Sequence, residues 1–297
     1  LKVPFRLAGA VRAAKRILRQ AEADVVCGFG GYVAMPAYLA ARRLGIPVVI
    51  QEQNAVPGIA NKVAARFAAA VLTSFPGTPL TGARFEGLPV RTEITELAAA
   101  GRLSRQAAQR NRFGLHPELP VLLVSGGSQG ARSLNNATLD ATGQLLAAGI
   151  QVLHIWGNKN FHAGLTEQID PGTGACYRPL AYVDHMSDAY AAADLMLARS
   201  GAGTVVETAV VGLPTILVPL PIGNGEQARN AQPLVDVAAA VVIADADLSS
   251  EGLFSEATAL LGDRERLGQM SRAAQQLMRP GAAGRVAQVI LEAGGAR

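Results

Sequence analysis

Short, almost wholly apolar runs alternate with alanine-rich stretches of helical length along the whole chain, and this alternation leaves few folds open. Val121-Leu-Leu-Val124 and Ile216-Leu-Val218 carry no polar residue, as suits strands covered by helices on both faces. Repeated strand-then-helix units wind into a parallel α/β sheet. Strands are expected near 24–28, 47–51, 70–74, 120–125, 151–156, 195–199, 215–219 and 240–243. With 297 residues the chain exceeds the roughly 250 at which single cores divide, so two lobes with a cleft between them are expected. Aromatic residues make up only 5% of the chain, which leaves Ala, Val, Leu and Ile to build the core.

The periodicity lapses between about 87 and 119, where Gly87-Leu-Pro-Val-Arg91, a polar Arg- and Gln-rich helix and His116-Pro-Glu-Leu-Pro120 follow one another. We read this stretch as the linker, giving a first domain over 1–91 and a second over 92–280, with a C-terminal helix at about 281–297 packing back on the first. The first lobe shows three strands, fewer than a doubly wound domain needs. It is therefore expected to be incomplete at its front.

Lys plus Arg exceed Asp plus Glu by only 27 to 23, too small a surplus to indicate a nucleic-acid partner. Cys27 and Cys176 lie in no metal-binding or redox spacing, and no apolar run approaches the roughly 20 residues of a spanning helix. The segment from Leu1 to Arg19 mixes Val3, Phe5, Leu7, Val11, Ile17 and Leu18 with six cations. It suits either the surface of an anionic bilayer or a helix with a solvated basic face.

Three turns follow strands of the second lobe. Ser125-Gly-Gly-Ser-Gln-Gly-Ala131 leads into a helix, so its glycines and Ser128 either approach a phosphate or merely make a tight turn. It is not the G-x-G-x-x-G dinucleotide fingerprint, which argues against a dehydrogenase. Arg199-Ser-Gly-Ala-Gly-Thr204 runs onto a helix whose first amides suit a diphosphate and whose Glu207 suits a vicinal diol such as a ribose. Alternatively Ser200 or Thr204 caps the helix and Glu207 complements its dipole. In the third turn Gln227 and Asn230, three apart, either face sugar hydroxyls or act as caps. All three turns lie where α/β folds bind ligands, at the C-terminal ends of parallel strands. In the first lobe, Gly28-Phe-Gly-Gly-Tyr32 and Gln51-Glu-Gln-Asn54 also follow strands, and Arg91 sits at the hinge. His116, His154, His162 and His185 form no catalytic or metal cluster and are read as structural.

Together these motifs resemble, over the full length of the chain, the peptidoglycan glycosyltransferases that add N-acetylglucosamine to undecaprenyl-diphospho-muramoylpentapeptide. The resemblance rests on Gly-Gly-Tyr32, Gln51 to Asn54, Pro-Val-Arg91, Gly-Gly-Ser-Gln-Gly-Ala131, Arg199 to Glu207 and Gln227-x-x-Asn230. It implies a fold of two Rossmann-like doubly wound domains, the GT-B type. It also implies inverting transfer from UDP-N-acetylglucosamine to the muramoyl 4-hydroxyl of lipid I, which yields lipid II. By resemblance, Val183 contacts the uracil and Glu207 the ribose; Ser128 and the amides of Ala202, Gly203 and Thr204 hold the diphosphate, and Gln227 holds the sugar. Val205 and Val206 belong to the same binding stretch, Asn54 and Arg91 complete the site, and Tyr32, Glu52, Gln129, Arg199 and Asn230 are further candidates. No cofactor or metal is implied. The implied partners are UDP-N-acetylglucosamine, lipid I, an anionic membrane surface on the cytoplasmic side and other cell-wall synthesis proteins. The family's Gly-Gly-Thr-Gly-Gly-His loop, which carries its expected base, is not matched, so no catalytic residue is assigned. A UDP-sugar-binding fragment without turnover and another UDP-sugar enzyme of the same fold, such as a 2-epimerase, are the alternatives.

Overall fold

The structure, a computed structural model, describes residues 3–222 and 224–295 and divides them into two compact units. Leu1 and Lys2 of the amphipathic segment and Gly223 of the third turn lie outside the described residues. One unit runs to Pro89 and resumes at Gly281; the other spans Val90–Pro280.

The first unit comprises α1 (Val3–Gln20), β1 (Val26–Gly28), α2 (Ala34–Leu44), β2 (Val48–Glu52), α3 (Ile59–Ala64), β3 (Ala70–Thr73) and β4 (Ala83–Phe85). The strands pair in parallel in sequence order. Side chains alternate between faces of a strand. Val48 and Ile50 accordingly pack with Tyr38, Ala41, Ala60 and Ala64 of α2 and α3, while Val49 and Leu72 meet Val286 of the C-terminal helix Ala282–Ala293. That helix is pinned by Arg285, whose Nε pairs with Glu86 Oε2 at 3.1 Å. Strand β4 was not foreseen, because Ala83-Arg-Phe85 is too short and too polar to stand out.

α1 packs against α2, burying Val11 while Arg6, Arg12, Arg16 and Ile17 stay exposed. The motifs after β1 and β2 form one buried network. Gly30 N–H donates to the Tyr38 hydroxyl, which donates to Asn61 Oδ1 at 2.8 Å, and Asn61 Nδ2 donates to Glu52 Oε2 at 2.8 Å. A Cβ on Gly28 would lie 2.2 Å from the Tyr38 ring, so this packing requires glycine there.

The second unit holds α4 (Thr92–Ala100), α5 (Gln106–Arg112), β5 (Val121–Ser125), α6 (Arg132–Ala147), β6 (Gln151–Ile155), β7 (Gln168–Ile169), β8 (Cys176–Leu180), α7 (Met186–Ala192), β9 (Leu195–Ala198), α8 (Ala202–Val211), β10 (Thr215–Leu217), α9 (Glu226–Asp236), β11 (Ala240–Val242), α10 (Ser250–Leu261) and α11 (Arg264–Leu277). The stretch read as a linker with a polar helix holds α4 and α5, and from Val90 it belongs to this unit: Arg110 donates to Ala192 O and pairs with Asp194 at 2.6 Å. Strands β7 and β8 were also missed, β8 because Arg178 and Pro179 interrupt its apolar run.

The sheet order is β11-β10-β9-β5-β6-β8-β7, parallel apart from the β7 edge. Leu122 and Val124 pack with Leu134, Ala141 and Leu145 of α6 and with Leu253 and Leu260 of α10. Leu123 and Met196, pointing the other way, are equally buried. Both faces are covered, as the apolar strands require.

His154 lies fully buried in this core, its ring nitrogens 3.2 Å from the Tyr177 hydroxyl and from Asn135 Oδ1. Burial lowers its pKa from the usual 6.5 to about 3, so the folded ring is neutral. As pH falls from 6.5 toward 3 the unfolded chain takes up a proton here that the folded chain does not. Stability therefore declines through that window by about 1.4 kcal/mol per pH unit at most. Urea unfolding at pH 7, 6 and 5 should show a steeper loss for the parent than for His154→Gln; parallel slopes would contradict the assignment.

Candidate functional site

β5 pairs with β6 on one side and β9 on the other, and the chain leaves the C-terminal ends of β5 and β9 in opposite directions. Such a topological switch point opens a crevice in doubly wound sheets. Ser125 aligns with Ala198, and Ala198 with Leu217, so the three turns singled out in the sequence emerge side by side.

In the first turn Ser128 and Gln129 are exposed, and Gln129 O accepts from Asn160 Nδ2 at 2.7 Å. Gly130 adopts φ +74°, and a Cβ there would sit 2.1 Å from Trp156 O. The sharp bend thus depends on glycine and leaves the Ser128 hydroxyl in solvent.

In the second turn the N-cap of α8 is Gly201, and no side chain caps the helix. Ser200 does not cap, because the helix begins one residue later and the Ser200 side chain is fully buried. Thr204 does not cap either, lying inside the first turn. The amides of Ala202, Gly203 and Thr204 thus stand at an uncapped helix N-terminus, the arrangement that binds phosphate. Val205 and Val206 do not contribute side chains to it: both are buried in the core, and Val205 N–H is taken by Gly201 O at 3.0 Å.

One turn further, Glu207 Oε2 accepts from the Tyr190 hydroxyl at 2.8 Å, and Oε1 lies 3.6 Å from Arg91 Nη2. Arg91 also pairs with Glu93 at 3.2 Å, and Glu93 with His185 Nδ1 at 2.7 Å. Burial raises the Glu207 carboxyl pKa, against the pull of Tyr190 and Arg91. His185 is raised by its hydrogen bond to Glu93. Sequence reasoning missed Tyr190 and Glu93, which are 17 and more than a hundred residues away from Glu207. The only cue was that Arg91 would need a counter-charge.

Three further candidates are corrected. Arg199 is spent inside the fold, pairing with Asp245 at 2.6 Å and donating to Ser133 Oγ and Val218 O. Asn230 does not share an open face with Gln227, because it is 1% exposed and its Nδ2 donates to Ser200 O. Gln227 is half-buried, and its Oε1 accepts from Leu220 N at 3.0 Å, closing the third turn. Glu52 is 3% exposed and accepts from Asn54 N, Gly58 N and Asn61 Nδ2, so it organises its own loop. Asn54 is half-buried and Tyr32 exposed, both in the first unit. Val183 is half-buried in the loop between β8 and α7. Among the described residues no cluster of His, Cys, Asp and Glu could hold a metal, and no helix is long and apolar enough to cross a membrane.

Residues 1–73 match the glycosyltransferase family 28 N-terminal domain and residues 121–286 its C-terminal domain. The UDP-N-acetylglucosamine--N-acetylmuramyl-(pentapeptide) pyrophosphoryl-undecaprenol N-acetylglucosamine transferase of Cutibacterium acnes is 59% identical, over 98% of this chain and 79% of its own length. The transferase of the same name from a Nocardioides species is 50% identical, over 99% and 79%. The crystal structure of MurG from Acinetobacter baumannii superimposes with a TM-score of 0.79 at 32% identity, covering 97% of this chain and 79% of that one. The chain belongs to the family 28 glycosyltransferases and, within them, to the pyrophosphoryl-undecaprenol N-acetylglucosamine transferases.

Proposed function

We propose that the protein transfers N-acetylglucosamine from UDP-N-acetylglucosamine to the muramoyl 4-hydroxyl of undecaprenyl-diphospho-muramoylpentapeptide, converting lipid I to lipid II in peptidoglycan synthesis. The observation that carries the reading is the uncapped N-terminus of α8 at the switch point, with a half-buried carboxylate one turn further on. The Ala202, Gly203 and Thr204 amides and the Ser128 hydroxyl take the diphosphate. Glu207, oriented by Tyr190, accepts from the ribose hydroxyls. Val183 meets the uracil, and Gln227 meets the sugar; Arg91 and Asn54 complete the substrate contacts. In the reaction the acceptor oxygen bonds to the anomeric carbon as the bond from that carbon to the diphosphate breaks, and the configuration inverts. The acceptor's proton passes to a general base and UDP departs, its growing charge met by the helix amides rather than a metal.

The exposed basic face of α1, with Arg6, Arg12, Arg16 and Arg19, fits an anionic bilayer and supports a peripheral position on the cytoplasmic side of the cell membrane, beside other cell-wall synthesis proteins. The 59% identity to a named transferase favours this reading over a 2-epimerase.

Incubation with sugar-labelled UDP-N-acetylglucosamine and lipid I should move label into the lipid fraction with one equivalent of UDP released. Donor binding without transfer would reduce the protein to a UDP-sugar-binding module. Neither binding nor transfer would refute the reading.

A further inference from the structure

At the opposite ends of the same strands the second unit holds a cavity of about 790 Å³. Its floor is the start of the sheet, at Pro120 before β5, Asp194 before β9 and Pro214 before β10. Its walls are the Arg102–Arg105 turn with α5, and α11. The volume falls in the range of about 300–1,000 Å³ typical of small-molecule sites. The four strand residues Leu195–Ala198 separate Asp194 from Arg199, five residue steps or about 16 Å at strand rise, so one ligand cannot fill both this cavity and the donor crevice.

The lining carries four arginines, Arg102, Arg110, Arg264 and Arg272, against the two carboxylates Asp194 and Glu118. Arg110 is fully engaged: its guanidinium donates to Ala192 O, Pro117 O and Asp194 Oδ2. Asp194 is equally spent, accepting also from Val121 N at 2.8 Å and Gln106 Nε2 at 3.0 Å. The other three arginines differ. Arg102 is 8% exposed, and although Nη1 donates to Ala193 O, its Nε is buried with no hydrogen-bond partner among the described residues. A buried donor without an acceptor is costly unless something else supplies one. Burial lowers the Arg102 pKa only to about 10, so it remains a cation at neutral pH. Arg264 and Arg272 are exposed at the rim, and among the described residues neither makes an ion pair. They stand two helical turns apart on α11 with Gly268 between them, so the wall carries no side chain there and the helix interior takes a residue that weakens it.

We propose that this cavity is a second binding site, for a small multiply charged oxyanion held by Arg264 and Arg272 over the buried charge of Arg102. Guanidinium forks match phosphate and carboxylate oxygens two at a time, and a polyanion would meet the two rim cations above the buried positive charge of Arg102. The inference does not depend on the donor-site reading.

The test is calorimetric titration of pyrophosphate, and separately of citrate, into the protein saturated with UDP. Uptake of one equivalent of at least one probe is expected, with affinity falling tenfold or more in the double variant Arg264→Ala/Arg272→Ala. Both of these residues are exposed, so the fold should survive. A control, Arg43→Ala/Arg66→Ala, removes two exposed cations elsewhere and should bind like the parent. The probe that binds distinguishes a phosphate-bearing ligand from a polycarboxylate. No uptake of either probe would overturn the proposal, as would equal uptake by parent and double variant, or an equal loss in the control.

Discussion

Glu207→Ala should weaken UDP-N-acetylglucosamine binding about 10- to 100-fold, the equivalent of losing roughly 1.5–3 kcal/mol of hydrogen bonding to a charged acceptor. Tyr190 donates to one carboxylate oxygen at 2.8 Å, and Arg91 lies 3.6 Å from the other, so the group is oriented without being saturated. Because burial raises its pKa, it protonates sooner than an ordinary glutamate, and donor affinity should decline as pH falls into the mildly acid range. Below that range parent and Glu207→Ala should converge. Calorimetry with UDP and with UDP-N-acetylglucosamine across pH checks both statements. A Glu207→Ala protein that binds UDP as tightly as the parent would dispose of the ribose assignment. The variant also strips the buried Tyr190 hydroxyl of its acceptor, so unfolding should be followed alongside to keep the two effects apart.

Glu52→Ala is expected to have the largest effect on stability, about 3 kcal/mol or more, because it leaves three buried or half-buried donors without an acceptor. Those donors are the amides of Asn54 and Gly58 and the side chain of Asn61, each 2.8–3.0 Å from the carboxylate. The damage should spread through Asn61 to Tyr38 and Gly30. Glu52→Gln, which keeps one acceptor oxygen, should fall between parent and Ala. Chemical denaturation of the three proteins reads the order directly. An Ala variant as stable as the parent would show that Glu52 does not organise the loop.

The strand-and-helix grammar and the position of the three turns after β5, β9 and β10 were legible because they depend on local signals: apolar runs, glycine at the bends and the start of α8. What escaped the sequence depends on distance. Glu52 resembled a ligand because an acidic residue after a strand often is one, and only the fold shows it facing three donors of its own loop. Arg199 was a further candidate by its place in the motif, whereas Asp245, 46 residues on, claims it. Val205 and Val206 sit in a binding motif by position yet face the core, since helical periodicity turns them away from the amides that precede them. The region between 87 and 119 reads as a polar helix within a linker, because only the fold shows its arginines bound to backbone carbonyls at the base of the second sheet.

The helix Ala282–Ala293 covers one face of the first sheet, although the whole second unit intervenes in the chain. During synthesis the first sheet therefore emerges from the ribosome with Val49 and Leu72 uncovered, and stays so for some 190 further residues. At about 5–20 residues per second that exposure lasts on the order of ten seconds or more. The continuous second unit can complete its core in that interval, so the unit that is first in sequence is the later one to mature.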